Sequence, residues 1–220
     1  MSLPGTRIIR TAGIAAGMAA PVLYVTVVLV LGYLTPGYNP ITQLMSELGE
    51  TGAPYAIVMN LAGIGLSGLL LVLFAAAFAL GFAGLRGTNA ASALLGMAGL
   101  LEIGQAYFTC DAGCRGTSLP AMLHLLIGEV AIFLTIAGCF AVAYVLRAAG
   151  WRRLSQYSTA TGILVIVLIP VLIFLPSVEG LVQRLIVGCI LLWWEILAIA
   201  IFSGVRGGGE RSYLFSPPGR

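Results

Sequence analysis

Six long apolar runs, at about 12–34, 56–84, 90–108, 120–146, 158–175 and 181–204, leave only short, charge-poor loops between them. A helix rising about 1.5 Å per residue needs ~20 apolar residues to cross a hydrocarbon core of ~30 Å, and each run is of that order. The alternating segments of a β-barrel are absent, and an open sheet would strand its backbone polar groups in lipid. The expected fold is all-α: a polytopic integral membrane protein with six transmembrane helices in one bundle, residues 1–220 forming a single domain. Charged residues make up 9% of the chain, against ~25% in ordinary soluble domains, which supports the same solvent. The longest loop, about 35–55, is too short to bury a core of its own.

All eleven basic residues are arginines, and their placement orients the bundle. Arg7, Arg10, Arg86, Arg147, Arg152, Arg153, Arg206, Arg211 and Arg220 fall on one side, Arg115 and Arg184 on the other. By the positive-inside rule both termini are expected in the cytoplasm of a cell-membrane protein. The first run is too long for the apolar region of a cleaved signal peptide and has no small-x-small site after it, so a retained signal anchor is expected. The net charge of +3 sets orientation and does not point to nucleic acid; membrane lipids are the expected partners, with self-association left open.

With that orientation, the rare polar groups collect toward the extracytoplasmic rim. Loop one carries Tyr38, Asn39, Gln43, Ser46, Glu47 and Glu50; loop three carries Cys110, Asp111, Cys114 and Arg115; loop five carries Ser177 and Glu179, with Gln183 and Arg184 just beyond. Asn60, Glu102, Gln105 and His124 stand within a few helical turns of the same surface. Pro36 and Pro40 bracket a turn, after which Ile41, Leu44, Met45 and Leu48 recur at helical spacing until Gly49. That pattern reads as a short amphipathic interfacial helix, with a plain connector as the competing reading.

Cys110 and Cys114, with three residues including Gly113 between them, read as a structural disulfide in an oxidising compartment, the alternative being a redox pair. Cys139 and Cys189 lie singly inside apolar runs. One histidine and two nearby cysteines do not complete a tetrahedral metal site, so no metal is expected. Nucleotide, zinc-protease and nucleophile-elbow motifs are missing, and no cofactor is expected. Gly63 with Ser67, and Ser92 with Gly96, are small-xxx-small pairs at which helices are expected to approach closely.

Ionisable groups inside a bilayer mark function or a buried partner. Glu102 has Gln105 on its face; Glu129 lies about 140° around its helix from His124. Arg184 and Glu195 share a stripe but stand roughly 16 Å apart along the axis, so each needs a partner from another helix. One account is a buried polar network holding the helices in register. The other is an outward-facing site in which Glu47, Asn60, Glu102, Gln105, His124 and Arg184 bind a lipid headgroup or small ligand. A membrane enzyme with His124 as acid or base and Glu47 or Glu102 assisting is a second class; an ion-coupled carrier titrating Glu102 and Glu195 is a third. The absence of an inverted half-repeat weakens the carrier. If the site exists, one carboxylate is expected within ~4 Å of Arg184 and another near His124.

The order Asn39-Pro40, Ser46-Glu47-Leu48-Gly49, Gly52-Ala53-Pro54, Asn60, Cys110-Asp111-Ala112-Gly113-Cys114 and His124 is similar to the bacterial and archaeal membrane family catalogued as domain of unknown function 998. The resemblance covers essentially the whole chain. Asn39 and Ala112 stand where that pattern carries Asp and Pro, the first change removing a charge. It implies a six-helix membrane fold and the loop site, and no particular reaction.

Overall fold

A computed structural model describes residues 4–206. Six long helical rods dominate it, and no strand occurs among the described residues. They are α1 (Pro4–Leu34), α2 (Ala56–Gly81), α3 (Thr88–Tyr107), α4 (Leu119–Ala148), α5 (Arg152–Phe174) and α6 (Glu179–Arg206). Five of them are long and apolar enough to cross a membrane by length and composition, among the described residues. The exception is α3, whose apolar run is diluted by Asn89, Glu102 and Gln105.

The rods form a closed ring. Each packs on its neighbours in chain order, and α6 closes the ring against α1. Away from the odd-numbered loops the ring is filled by large apolar side chains, with Phe74, Phe78, Leu95, Leu146, Trp193, Trp194 and Leu197 fully buried. Burial beside lipid gains mainly from packing, because the alternative environment is itself apolar. Trp193 also needs a partner for its indole N–H, and it donates to Ser158 Oγ at 2.9 Å. Backbones come closest where glycines face each other: a Cβ on Gly68 would sit 2.7 Å from the Gly99 carbonyl oxygen, and one on Gly99 would sit 2.7 Å from that of Gly68.

Of the expected pairs, Gly63 and Ser67 do lie close to α1, where a Cβ on Gly63 would sit 3.2 Å from Val27 Cγ1 and Ser67 Oγ donates to the Ala20 carbonyl at 3.4 Å, whereas Ser92 and Gly96 do not mark the α2–α3 crossing. Gly96 has open contact, its nearest neighbour for a Cβ being Ala75 Cβ at 3.6 Å, and the α2–α3 approach falls one residue after Ser67 and three after Gly96. Helix limits also differ. The α5 helix starts at Arg152 and not near 158, because its first turn is polar but still helical. The α4 helix starts after Ser118, whose hydroxyl caps it by accepting from Ala121 N at 3.3 Å. The second rod ends at Gly81, and Met59–Leu66 within it winds as a wider π-helix.

The expected amphipathic helix over 41–49 is replaced by open turns and one five-residue 3-10 helix, Met45–Gly49. Its apolar residues do not lie free. Met45 and Leu48 are buried against Val28, Leu31, Met59 and Ile64, so the segment is a plug over the ring.

Candidate functional site

Three loops interlock at the plugged end. The Gly113 N–H donates to Glu50 Oε2 at 2.6 Å and the Thr51 N–H to the Cys110 carbonyl at 2.8 Å, tying loop three to loop one. Cys110 and Cys114 lie side by side beneath this contact, Cα atoms 4.9 Å apart and both buried. Gly113 at φ +68° supplies the turn that brings them together. Arg115 pairs with Glu179 and so joins loop three to loop five.

Arg184 closes the remaining side. One of its terminal nitrogens donates to the carbonyls of Pro40 at 2.8 Å, Gln43 at 2.9 Å and Gly180 at 2.8 Å, and the other to the Tyr38 hydroxyl. Tyr38 in turn donates to the Leu44 carbonyl at 2.9 Å. Burial pushes the Tyr38 phenol above its ordinary range, against a smaller opposing pull from Arg184, so it stays protonated and able to donate. Gln183 Oε1 accepts from Met45 N at 2.6 Å, and Leu181 N donates to the Ile41 carbonyl at 2.9 Å. Among the described residues no carboxylate pairs with Arg184, contrary to expectation; the carbonyls of Pro40, Gln43 and Gly180 satisfy it instead.

Beneath this cap lies a cavity of about 270 Å³, and every rod contributes to its wall. Glu102 and Gln105 come from α3, and His124, Glu129 and Thr135 from α4. Tyr24 comes from α1, Ser67 from α2, Leu172 from α5 and Gln183 from α6, while Ser46 descends from the plug. Trp194 also lies on the wall, edge-on to Phe74 at 5.4 Å between centroids. Glu195, the next residue, is not on the wall, and its Oε2 is buried without a hydrogen-bond partner.

The hydrogen bonds of His124 define its protonation. Nδ1 lies 2.7 Å from the Phe108 carbonyl, which only accepts, so Nδ1 carries the proton. Nε2 lies 3.4 Å from Gln105 Nε2, a donor whose orientation is set because it also reaches the His124 carbonyl at 3.3 Å. The ring is therefore the neutral Nδ1–H tautomer, its Nε2 lone pair held loosely. Glu102 differs: its carboxyl lines the same cavity and makes no hydrogen bond or ion pair among the described residues.

Of the residues singled out from sequence, Glu102, Gln105 and His124 thus share one cavity, while Glu47, Asn60 and Arg184 do not line it. Glu47 is spent locally, accepting from Leu44 N at 2.7 Å and Gln43 Nε2 at 2.9 Å to close the 3-10 turn. Buried Asn60 donates to the Gly49 carbonyl at 2.8 Å and pins the plug to α2. Tyr24 and Gln183 were not picked out as lining residues: Tyr24 sits in an uninterrupted apolar run and resembles an interfacial aromatic. No group of three or more metal-ligating side chains forms among the described residues.

A ring of apolar helices around a capped, polar-studded cavity is the architecture of a polytopic membrane protein. The chain belongs to the family described as Protein of unknown function (DUF998), whose model matches residues 18–200. No curated protein and no solved structure matches it.

Proposed function

We propose that this protein is a six-span membrane protein that binds a lipid headgroup or other small amphiphile in the capped cavity, without breaking a bond in it. The observation that carries this reading is a wall drawn from all six rods and roofed by loop one, lined by the Glu102 carboxyl, which has no protein partner among the described residues. Leaving Glu102 without a partner in an apolar bundle is costly, and a bound ligand offsets that cost. At about 270 Å³ the space is just below the ~300–1,000 Å³ usual for ligand pockets, which suits a headgroup or short chain and not a whole lipid. We take α3 as the sixth crossing, both termini as cytoplasmic, and Cys110–Cys114 as a disulfide stiffening the cap on the outer face.

Binding is favoured over catalysis because no nucleophile hydrogen-bonds to His124 Nε2, whose neighbour is the Gln105 amide. A carrier needs a polar path beyond Trp194, and Phe74, Phe78 and Trp193 pack that region closed.

The test is mass spectrometry of small molecules retained when the protein is purified in native-lipid nanodiscs. One species should be recovered in near-stoichiometric amount from the wild type, lost from the cavity-filling Ala131→Phe variant, and kept with at most a few-fold weaker binding by His124→Gln. Chemical conversion of that species by wild type but not by His124→Gln would establish the enzyme instead. Recovery of nothing from a folded wild type would remove the binding reading.

A further inference from the structure

Every cationic side chain near the roof is already engaged, which decides what charge the cavity can accept. Arg115 is paired with Glu179, and Arg184 is saturated by three carbonyls and Tyr38. Neither arginine, nor any other basic side chain, is among the residues that line the cavity, apart from neutral His124. Glu102 and Glu129 both line it without a hydrogen bond or ion pair among the described residues. A phosphate or carboxylate placed there meets like charge and no compensating donor cluster. A cation meets a carboxylate, and the rings of Tyr24 and Trp194 are on the same wall.

Glu129 sets where the cavity meets the flank of the bundle. It falls in register with Leu126 and Phe133, which are 56% and 59% exposed on the flank of α4, and it is itself exposed while lining the cavity. The cavity therefore reaches the lateral surface of the bundle, where the apolar part of an amphiphile has lipid to come from. Leu71, Ile186, Val187 and Ile190 offer that part an apolar wall.

We infer that the cavity selects a cationic amphiphile: an alkylammonium whose nitrogen rests against Glu102, whose chain lies on the apolar wall, and which passes Glu129 on entry from the bilayer. This rests on the cavity being a binding site and specifies the charge of what it takes.

The experiment compares three water-soluble probes of equal chain length, hexylammonium, hexyl phosphate and 1-hexanol, by equilibrium binding to the purified full chain in detergent. Hexylammonium should bind at least tenfold more tightly than hexyl phosphate. Glu102→Gln should weaken hexylammonium at least tenfold while leaving 1-hexanol unchanged, which also reports that the variant is folded. Glu129→Gln, at an exposed position without a partner, should weaken it about threefold. Equal or tighter binding of hexyl phosphate, or hexylammonium binding indifferent to Glu102→Gln, overturns the charge assignment while 1-hexanol binding keeps the cavity reading. Binding of none of the three to folded wild type overturns both.

Discussion

Arg184 shows how far a single residue can be read before its surroundings are known. Its position within the apolar run demanded a partner, and an acidic side chain is the simplest one to expect. The partners are instead the carbonyls of Pro40, Gln43 and Gly180. Which backbone atoms a loop presents depends on tertiary docking, and no pattern of side chains encodes it. The planar guanidinium serves several acceptors at once, which the point charge of lysine does not do as well. Replacing Arg184 by Gln should therefore loosen the cap and leave the cavity wall intact. The expected cost is about 1–2 kcal/mol, the scale for losing charge-assisted hydrogen bonds at a half-buried site. Amide hydrogen exchange should accelerate over residues 38–47 and remain unchanged around Trp194. Unchanged exchange in that loop would mean that Arg184 does not hold it. Glu102, Gln105 and His124 were legible for the opposite reason: each is polar and sits in an apolar run near the same surface, where facing the interior avoids lipid.

Among the elements, hydrophobic length was the strong signal and local helix geometry the weak one. Apolar runs of about twenty residues locate the rods because lipid imposes the length. Helix ends are less legible: the polar opening of α5 at Arg152 and Arg153 looks like loop, while the Ser118 cap and Pro120 that start α4 are ordinary start signals. The π-helix at Met59–Leu66 has no counterpart in apolar spacing, and the bond from its Asn60 to the Gly49 carbonyl across the plug depends on how loop one docks. Small residues show the same limit, because many spacings allow a close approach and only packing chooses one. The chosen contact makes a paired prediction. A Cβ on Gly99 would lie 2.7 Å from the Gly68 carbonyl and 3.1 Å from Val72 N, both backbone atoms that cannot swing aside. Gly99→Val should cost roughly 1–3 kcal/mol, as overpacking does, whereas Gly96→Ala should be close to neutral. Thermal unfolding of the two purified variants decides this, and a larger loss at Gly96 would put the α2–α3 crossing in the wrong place.

For the molecule as a whole, the charge pattern and the cap point to one orientation. Arg10, Arg86, Arg147, Arg152 and Arg153 sit at the end of the ring opposite the plug, while Arg115 and Arg184 are used within the cap itself. Arg211 and Arg220, which added to the count, lie outside the described residues. The two cap arginines therefore have structural partners that explain their place against the general bias. If the cap faces outward, as proposed, Cys110 and Cys114 would lie where a disulfide persists, and there it would hold loop three against Glu50 and Thr51. Orientation and disulfide are thus one prediction with two readouts. In a background with Cys139 and Cys189 replaced by Ala, Ser177→Cys should react with an impermeant maleimide on intact cells. Asn89→Cys, exposed at the opposite end, should react only after the membrane is opened. In the same background without either added thiol, denatured protein should take up no alkylating reagent until it is reduced, and two equivalents afterwards. External labelling at Asn89→Cys with protection at Ser177→Cys would invert the protein. That would place the cavity toward the cytoplasm and the cysteine pair in a reducing compartment, and the second readout would then show two free thiols from the start.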